Sequence, residues 1–242
     1  MDGILAGLMN SPDSKEKSVT HTMINGGKMH IPKDKLDAVY KKILKYGLEG
    51  NQTIQLVEKM GPIHPFIVDI DIKYDSDIQE RQYTQETIVQ TLTFLWGKLS
   101  DYLDLDDRHQ FGEMWVMEKD KPYPCVTNKE FVSKDGIHIV FPNIILKRDV
   151  YKGIMCLLQE GQIIESIFEE TCEVAPANKK DTLMDGCFAS WQPYGCSKVN
   201  ESPYRLTRVF GINDSDIPIQ IDEDTFKEHY SGNSANLEIA KR

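Results

Sequence analysis

Apolar residues recur along this chain with two periods, and the changes of period divide it into elements. Leu36, Val39, Tyr40, Ile43 and Leu44 return every three to four positions, which predicts a helix entered at Pro32–Asp34 and stopped at Gly47. From Phe66 to Ile72 the period shortens to two, the mark of a strand. Thr84 is placed to N-cap a helix running to about Leu103, with Ile88, Leu92, Leu95, Trp96, Leu99 and Leu103 as its buried stripe. Residues 113–119 read as a strand, 120–136 as a loop broken by Pro122 and Pro124, and 137–146 as a strand. Helical spacing returns over 149–170, with Val150, Ile154, Leu157 and Leu158 on one side and an interruption at Gly161. Residues 181–191 read as a strand entering a turn, 204–212 as a strand, and 222–230 as a short helix. No internal repeat is visible, and the mixture of helices and strands implies α/β or α+β.

Composition narrows the class. The 242 residues suffice for one substantial domain or two small ones packed together. Hydrophobic residues at 40% and charged residues at 27% are ordinary for a globular protein. No apolar run approaches the roughly 18 residues of a membrane span, so no membrane partner is expected. The N-terminus lacks the basic segment of a signal peptide. Cys125, Cys156, Cys172, Cys187 and Cys196 form no C-x-x-C pair and read as reduced thiols of an intracellular compartment. The net charge of −10 argues against generic nucleic-acid binding, which needs clustered Lys and Arg, but leaves room for a local basic groove.

Three stretches carry candidate chemistry. In "HPFIVDIDIKY" (64–74) the strand period puts Phe66, Val68, Ile70 and Ile72 on one wholly apolar face and Ile67, Asp69 and Asp71 on the other. Two carboxylates about 7 Å apart repel, and a hard divalent cation such as Mg²⁺ or Mn²⁺ relieves the conflict. A bare D-x-D also fits a solvated sheet face. In "SKDGIHIVFP" (133–142) a Lys134-Asp135-Gly136 turn delivers His138 into an apolar strand, where Lys134 favours an anionic ligand such as phosphate. A lone strand histidine also fits a satisfied core residue. In "MDGCFASWQPYGCSK" (184–198) Asp185 lies near a strand end, and Gly195, Ser197 and Lys198 form a small-residue turn followed by a point charge. Alone, that turn also fits an ordinary surface turn. Together, three carboxylates, a histidine and a lysine are the inventory of two-metal phosphoryl transfer.

The ordered set "IVDID" (67–71), "GIH" (136–138) and "LMD" (183–185) resembles the archaeo-eukaryotic primase superfamily. The flanks "THTMINGGKMHIP", "SKDGIHIVFP" and "YGCSKVNESPYRLTRVF" resemble the N-terminal primase domain of primase-helicases from nucleocytoplasmic large DNA viruses, over roughly residues 20–212. The resemblance implies an α+β archaeo-eukaryotic primase fold, an N-terminal α/β unit and an RRM-like unit with the active site between them. It implies a flexible 1–20 segment, a catalytic domain over 21–212, and an acidic polar tail over 213–242 leading to a helicase region absent from this chain. It also implies template-directed nucleotidyl transfer by two Mg²⁺ or Mn²⁺ ions held by Asp69, Asp71 and Asp185. His138 and Lys198 would contact the phosphates of an incoming NTP or dNTP, with Lys134, Gly136 and Ser197 beside them. The implied partners are a single-stranded DNA template and the helicase domain of the full-length chain, and the implied setting is the cytoplasm of an infected host cell. Family members often carry serine where Gly136 stands, so backbone N–H contact would replace a side-chain contact there. No Cys/His cluster matches the family's zinc modules, and no Walker A pattern is present. Arg205, Arg208, Lys147 and Arg148 are candidates for a template groove, and Trp191 and Tyr194 for base stacking.

Three rivals stay in view. A metal-dependent nuclease uses the same carboxylate logic, but "MEKDK" (117–121) does not give the acidic-x-lysine spacing. A polymerase-beta-type nucleotidyltransferase needs a Gly-rich turn close before D-x-D, and Gly26-Gly27 is far upstream. A non-catalytic replication module would have no reason to keep three acids and a histidine.

Overall fold

The computed structural model describes residues 19–24, 26–50, 52–126, 130–178, 183–186 and 189–241. The segment expected to be flexible lies outside the described residues up to position 18, as do Cys187 and part of the 181–191 reading. In chain order the elements are β1 (His21–Met23), β2 (Lys28–Met29), α1 (Leu36–Ile43), β3 (Leu56–Lys59), β4 (Ile63–Tyr74), α2 (Gln85–Tyr102), α3 (Arg108–Phe111), β5 (Met114–Glu118), β6 (Tyr123–Pro124), β7 (Ser133–Lys147), α4 (Arg148–Gln159), α5 (Ile163–Thr171), β8 (Met184–Gly186), β9 (Ser190–Trp191), β10 (Arg205–Ile212), β11 (Pro218–Gln220), α6 (Glu223–Tyr230) and α7 (Gly232–Ala240). The fold is α+β. Two compact units share the chain, one of Met1–Gly61, Ala189–Arg205 and Glu223–Arg242, the other of Pro62–Phe188 and Leu206–Asp222.

The first unit is a sheet in the order β2-β1-β3-β9 with helices. Val39, Tyr40 and Ile43 are the buried side of α1, as their spacing requires. Gly47 does not stop this helix, because a π-type turn continues from Leu44 to Glu49. It serves close approach instead: a Cβ at Gly47 would stand 2.1 Å from the carbonyl oxygen of Gly195, which itself has φ +85°. Residues 213–242, expected as a polar tail, hold β11, α6 and α7. Ile239 and Ala240 at the end of α7 are buried, and Lys241 Nζ lies 3.2 Å from Asp37 Oδ2 at the start of α1.

The second unit is built on a sheet in the order β11-β10-β5-β7-β4-β8, with β6 paired to β7. Phe66, Val68, Ile70 and Ile72 of β4, Ile137, Ile139 and Phe141 of β7 and Val116 of β5 form one apolar face. Helices α2, α4 and α5 supply Ile88, Leu92, Leu95, Leu99, Tyr151, Met155, Ile164 and Phe168 to the same core. Thr84 caps α2 as the sequence anticipates, and the cap is reciprocal: the Thr87 amide donates to Thr84 Oγ1 at 3.3 Å, and the Thr84 amide donates to Thr87 Oγ1 at 3.0 Å.

Two readings change here. In α4 the buried stripe is Tyr151, Ile154, Met155 and Leu158, while Val150 and Leu157 are 44% and 40% exposed. The Tyr151 hydroxyl donates to the Ile67 carbonyl at 2.7 Å, so the large aromatic side chain turns inward and the β-branched one outward. The Lys134-Asp135-Gly136 segment is strand rather than turn. The β4–β7 ladder runs without a break from Phe66↔Phe141 to Tyr74↔Ser133, and its one irregularity lies between Pro65 and Phe66.

Candidate active site

The pairing of β4 with its two neighbours brings the distant sequence motifs into register. Asp69 is opposite His138 on β7 and opposite Asp185 on β8, so the three lie in one row across three adjacent strands. Residues directly opposite in an antiparallel pair share a face, with Cβ atoms about 5 Å apart. His138 Nε2 lies 3.5 Å from Asp69 Oδ1, and the Asp69 side chain is 33% exposed while that of His138 is nearly buried. Asp185 is exposed and accepts a hydrogen bond from the Gly186 amide at 2.7 Å.

A second row lies one strand repeat further along, where Asp71 pairs with Gly136. The Asp71 amide donates to the Leu183 carbonyl at 2.8 Å, which directs its backbone away from β7. The Lys73 amide likewise turns from β7, donating to Asn178 Oδ1 at 2.7 Å. Toward β7, therefore, Asp69, Asp71 and Lys73 all sit in non-hydrogen-bonded pairs, the kind in which opposing side chains come closest. A third row follows, Tyr123–Lys134–Lys73. Lys134 is 5% exposed, and its Nζ lies 4.9 Å from the centre of the Tyr123 ring, with Lys119 Nζ at 3.9 Å from the same ring. One face of the sheet thus carries an acidic row and, two residues away, a basic one.

The opposite face of the same strands carries a second charged cluster that sequence reasoning missed. Asp135 is fully buried and Glu118 is 1% exposed. Arg81 lies between them, at 3.2 Å from Asp135 Oδ2 and 3.1 Å from Glu118 Oε1. Tyr83 and Thr207 donate hydroxyls to Glu118, and Arg208 Nη2 reaches it at 3.3 Å. Burial pushes the Asp135 carboxyl above its ordinary range, with the Arg81 charge pulling the other way. Asp135 Oδ1 also accepts the Gly136 amide at 2.8 Å. That amide is therefore committed within the strand, and the expected backbone N–H contact from Gly136 to a ligand is not available in this arrangement.

Ser197 and Lys198 belong to the first unit. Ser197 is 3% exposed and its amide donates to the Ile54 carbonyl at 3.1 Å, while the Cys196 amide donates to Pro193 O at 2.9 Å. The turn's amides are thus used internally, and Lys198, which is exposed, keeps its side chain at the surface. Two arginines considered for a template groove are similarly committed: Arg205 donates to the Leu48 carbonyl at 2.7 Å and Arg208 to Gln85 and Glu118. Tyr194 is 8% exposed, and Trp191 pairs with Glu58 across β9 and β3.

The chemistry of the acid row suits a hard divalent cation, since every donor on Asp69, Asp71 and Asp185 is a carboxylate oxygen. Among the described residues no three His, Cys, Asp or Glu side chains converge, as placed, on one point a metal ion would occupy. Asp71 leans the other way, with Oδ2 3.5 Å from Lys73 Nζ. Lys73 escaped the sequence reading although the period-two alternation already put it on the face of Asp69 and Asp71. No described helix is long and apolar enough to cross a membrane.

A helicase-named protein of Acanthamoeba polyphaga mimivirus is 31% identical over 202 residues, covering 79% of this chain and 20% of that protein. A helicase-named protein of Invertebrate iridescent virus 6 is 25% identical over 193 residues, covering 72% of this chain and 20% of its own length. A third, from Frog virus 3, is 23% identical over 193 residues, covering 78% and 18%. The chain therefore spans about a fifth of the length of the curated relatives it matches. Residues 20–210 match the family model described as C962R protein N-terminal AEP domain, a span that includes all three motifs. The chain belongs to that family, and its domain is of the archaeo-eukaryotic primase type found in viral primase-helicases.

Proposed function

We propose that this domain joins nucleotides on a single-stranded DNA template, acting as a primase-polymerase that makes primers for viral DNA replication in the host cytoplasm. The observation that carries the reading is the row His138–Asp69–Asp185 with Asp71 beside it, assembled from three strands far apart in sequence. Asp69, Asp71 and Asp185 would hold two Mg²⁺ or Mn²⁺ ions, which when bound activate a 3′-hydroxyl and stabilise the departing pyrophosphate. His138, held at 3.5 Å from Asp69, presents its ring beside the acids and would donate a hydrogen bond to a phosphate of the NTP or dNTP. Lys134 would offset phosphate charge from the third row. The rest of the full-length protein would supply the helicase for which its relatives are named.

The test is synthesis on a single-stranded template with Mg²⁺ or Mn²⁺ and labelled NTPs or dNTPs, with and without primer. Template-dependent product from the wild type, lost in both Asp69→Ala and His138→Ala, supports the reading. Degradation of the template without any triphosphate requirement would replace it with a nuclease.

A further inference from the structure

The third row contains an arrangement that a sheet does not favour on its own. Lys73 and Lys134 are direct cross-strand partners, in a non-hydrogen-bonded pair where side chains approach closest. Like charges directly opposite are destabilising. Lys134 is also 5% exposed, with its ammonium against the Tyr123 ring, so bulk water relieves little of the repulsion. Lys73 Nζ is 5.8 Å from the centre of the Phe131 ring and 3.5 Å from Asp71 Oδ2. The Asp71 carboxylate thus balances one of the two ammonium groups, and it is one of the three acids assigned above to metal.

We propose that Lys73 is an exchangeable cation: it neutralises Asp71 in the free protein and moves to the phosphates of a bound polyphosphate, which it then holds jointly with Lys134. This rests on the nucleotidyl-transfer reading and gives its site a second, phosphate-binding cation. The exchange has two coupled consequences. A polyphosphate relieves the Lys73–Lys134 repulsion, because it brings at least two negative charges to a pair of adjacent ammonium groups. The same movement strips Asp71 of its counter-charge and leaves its carboxylate able to bind a divalent cation. Anion and cation binding therefore favour each other through one side chain, a coupling that acts equally in both directions. Before the anion arrives, Lys73 competes with the cation for Asp71, which disfavours metal in a site that holds no substrate.

Lys73→Met separates this from a structural role, since it keeps an unbranched apolar stem beside Phe131 and removes only the charge. Two affinities are measured by titration calorimetry: inorganic tripolyphosphate in EDTA, and Mn²⁺ without phosphate, with melting temperature as a folding control. The variant is expected to bind tripolyphosphate about 10-fold more weakly and Mn²⁺ several-fold more tightly than the wild type. Lys73→Arg, which retains the charge, should restore both values towards wild type. A structural defect moves the two affinities down together, and that outcome, unchanged affinities, or a wild type that binds neither probe each overturns the proposal. Opposite shifts in a protein that synthesises nothing would keep the exchange and remove the polymerase. Template-dependent synthesis with unshifted affinities in Lys73→Met would do the reverse.

Discussion

The two faces of β7 hold charge in opposite ways. On the helix-covered face Asp135 and Glu118 are buried, and Arg81, Arg208, Tyr83, Thr207 and the Gly136 amide meet them. On the other face Asp69 and Asp71 stay about a third exposed, with His138 Nε2 3.5 Å from Asp69 Oδ1 and Lys73 Nζ 3.5 Å from Asp71 Oδ2. The first cluster is closed and neutral in sum, with two carboxylates against two guanidinium groups. The second is open, with acids gathered in one row and lysines in another. Burial with complete partners gives a structural anchor. Partial exposure with partners at 3.5 Å lets a ligand compete for these charges, and that is the signature of a site.

The largest break in this comparison would come from Arg81→Ala. It strands the buried Asp135, leaves Glu118 to Arg208, and should cost about 3–5 kcal/mol in urea denaturation. Asp69→Ala should shift the same midpoint by under about 1 kcal/mol, and a loss as large as that of Arg81→Ala would erase the distinction between anchor and site. Next in size is activity: Asp69→Ala and His138→Ala should each lower template-dependent synthesis by about 10²–10³-fold while the urea midpoint holds. A titratable group buried without charge sharpens the contrast further. His21 in the first unit is 1% exposed and its pKa is pushed down to about 4, by burial first and the nearby His30 second. Its folded pKa is below its unfolded value, so the unfolded chain takes up the proton first as pH falls and stability is lost on acidification. Between pH 7 and pH 5 that contribution is about 2 kcal/mol, and a His21→Phe variant should show a correspondingly flatter stability profile over that range. The smallest effect belongs to the exposed pair Arg108–Asp216, whose side chains are 42% and 53% exposed. Arg108→Ala should change the urea midpoint by no more than about 0.5 kcal/mol.

Much of the strand that bears the acids was legible because its other face is wholly apolar. Period two over Phe66–Ile72 fixes which residues share a side, and the structure keeps that division. The helix cap at Thr84 was legible for a similar reason, since all its partners lie within one turn. What the sequence hid is long-range. Nothing local says that Asp69 faces His138 and Asp185, because that depends on the register of strands separated by dozens of residues. Arg81, Glu118 and Asp135 each look like a surface charge in the text, and only the fold makes them a buried cluster. The stretch 181–191 read as a strand entering a turn because elements of two or three residues are too short to show a period, yet β8 and β9 within it join different sheets. Gly47 was misread because a glycine near a helix end signals a stop, whereas here it admits a neighbouring carbonyl.

The shortness of β8 has a further consequence for timing. Asp69 and His138 stand on strands of 12 and 15 residues inside the sheet, while Asp185 stands on a three-residue strand that, among the described residues, ends the sheet path beside β4. Elements of that kind open by local fluctuation at a small fraction of the free energy of global unfolding. The Asp185 amide is therefore expected to exchange with solvent faster than those of Asp69 and His138, which hydrogen exchange would read directly.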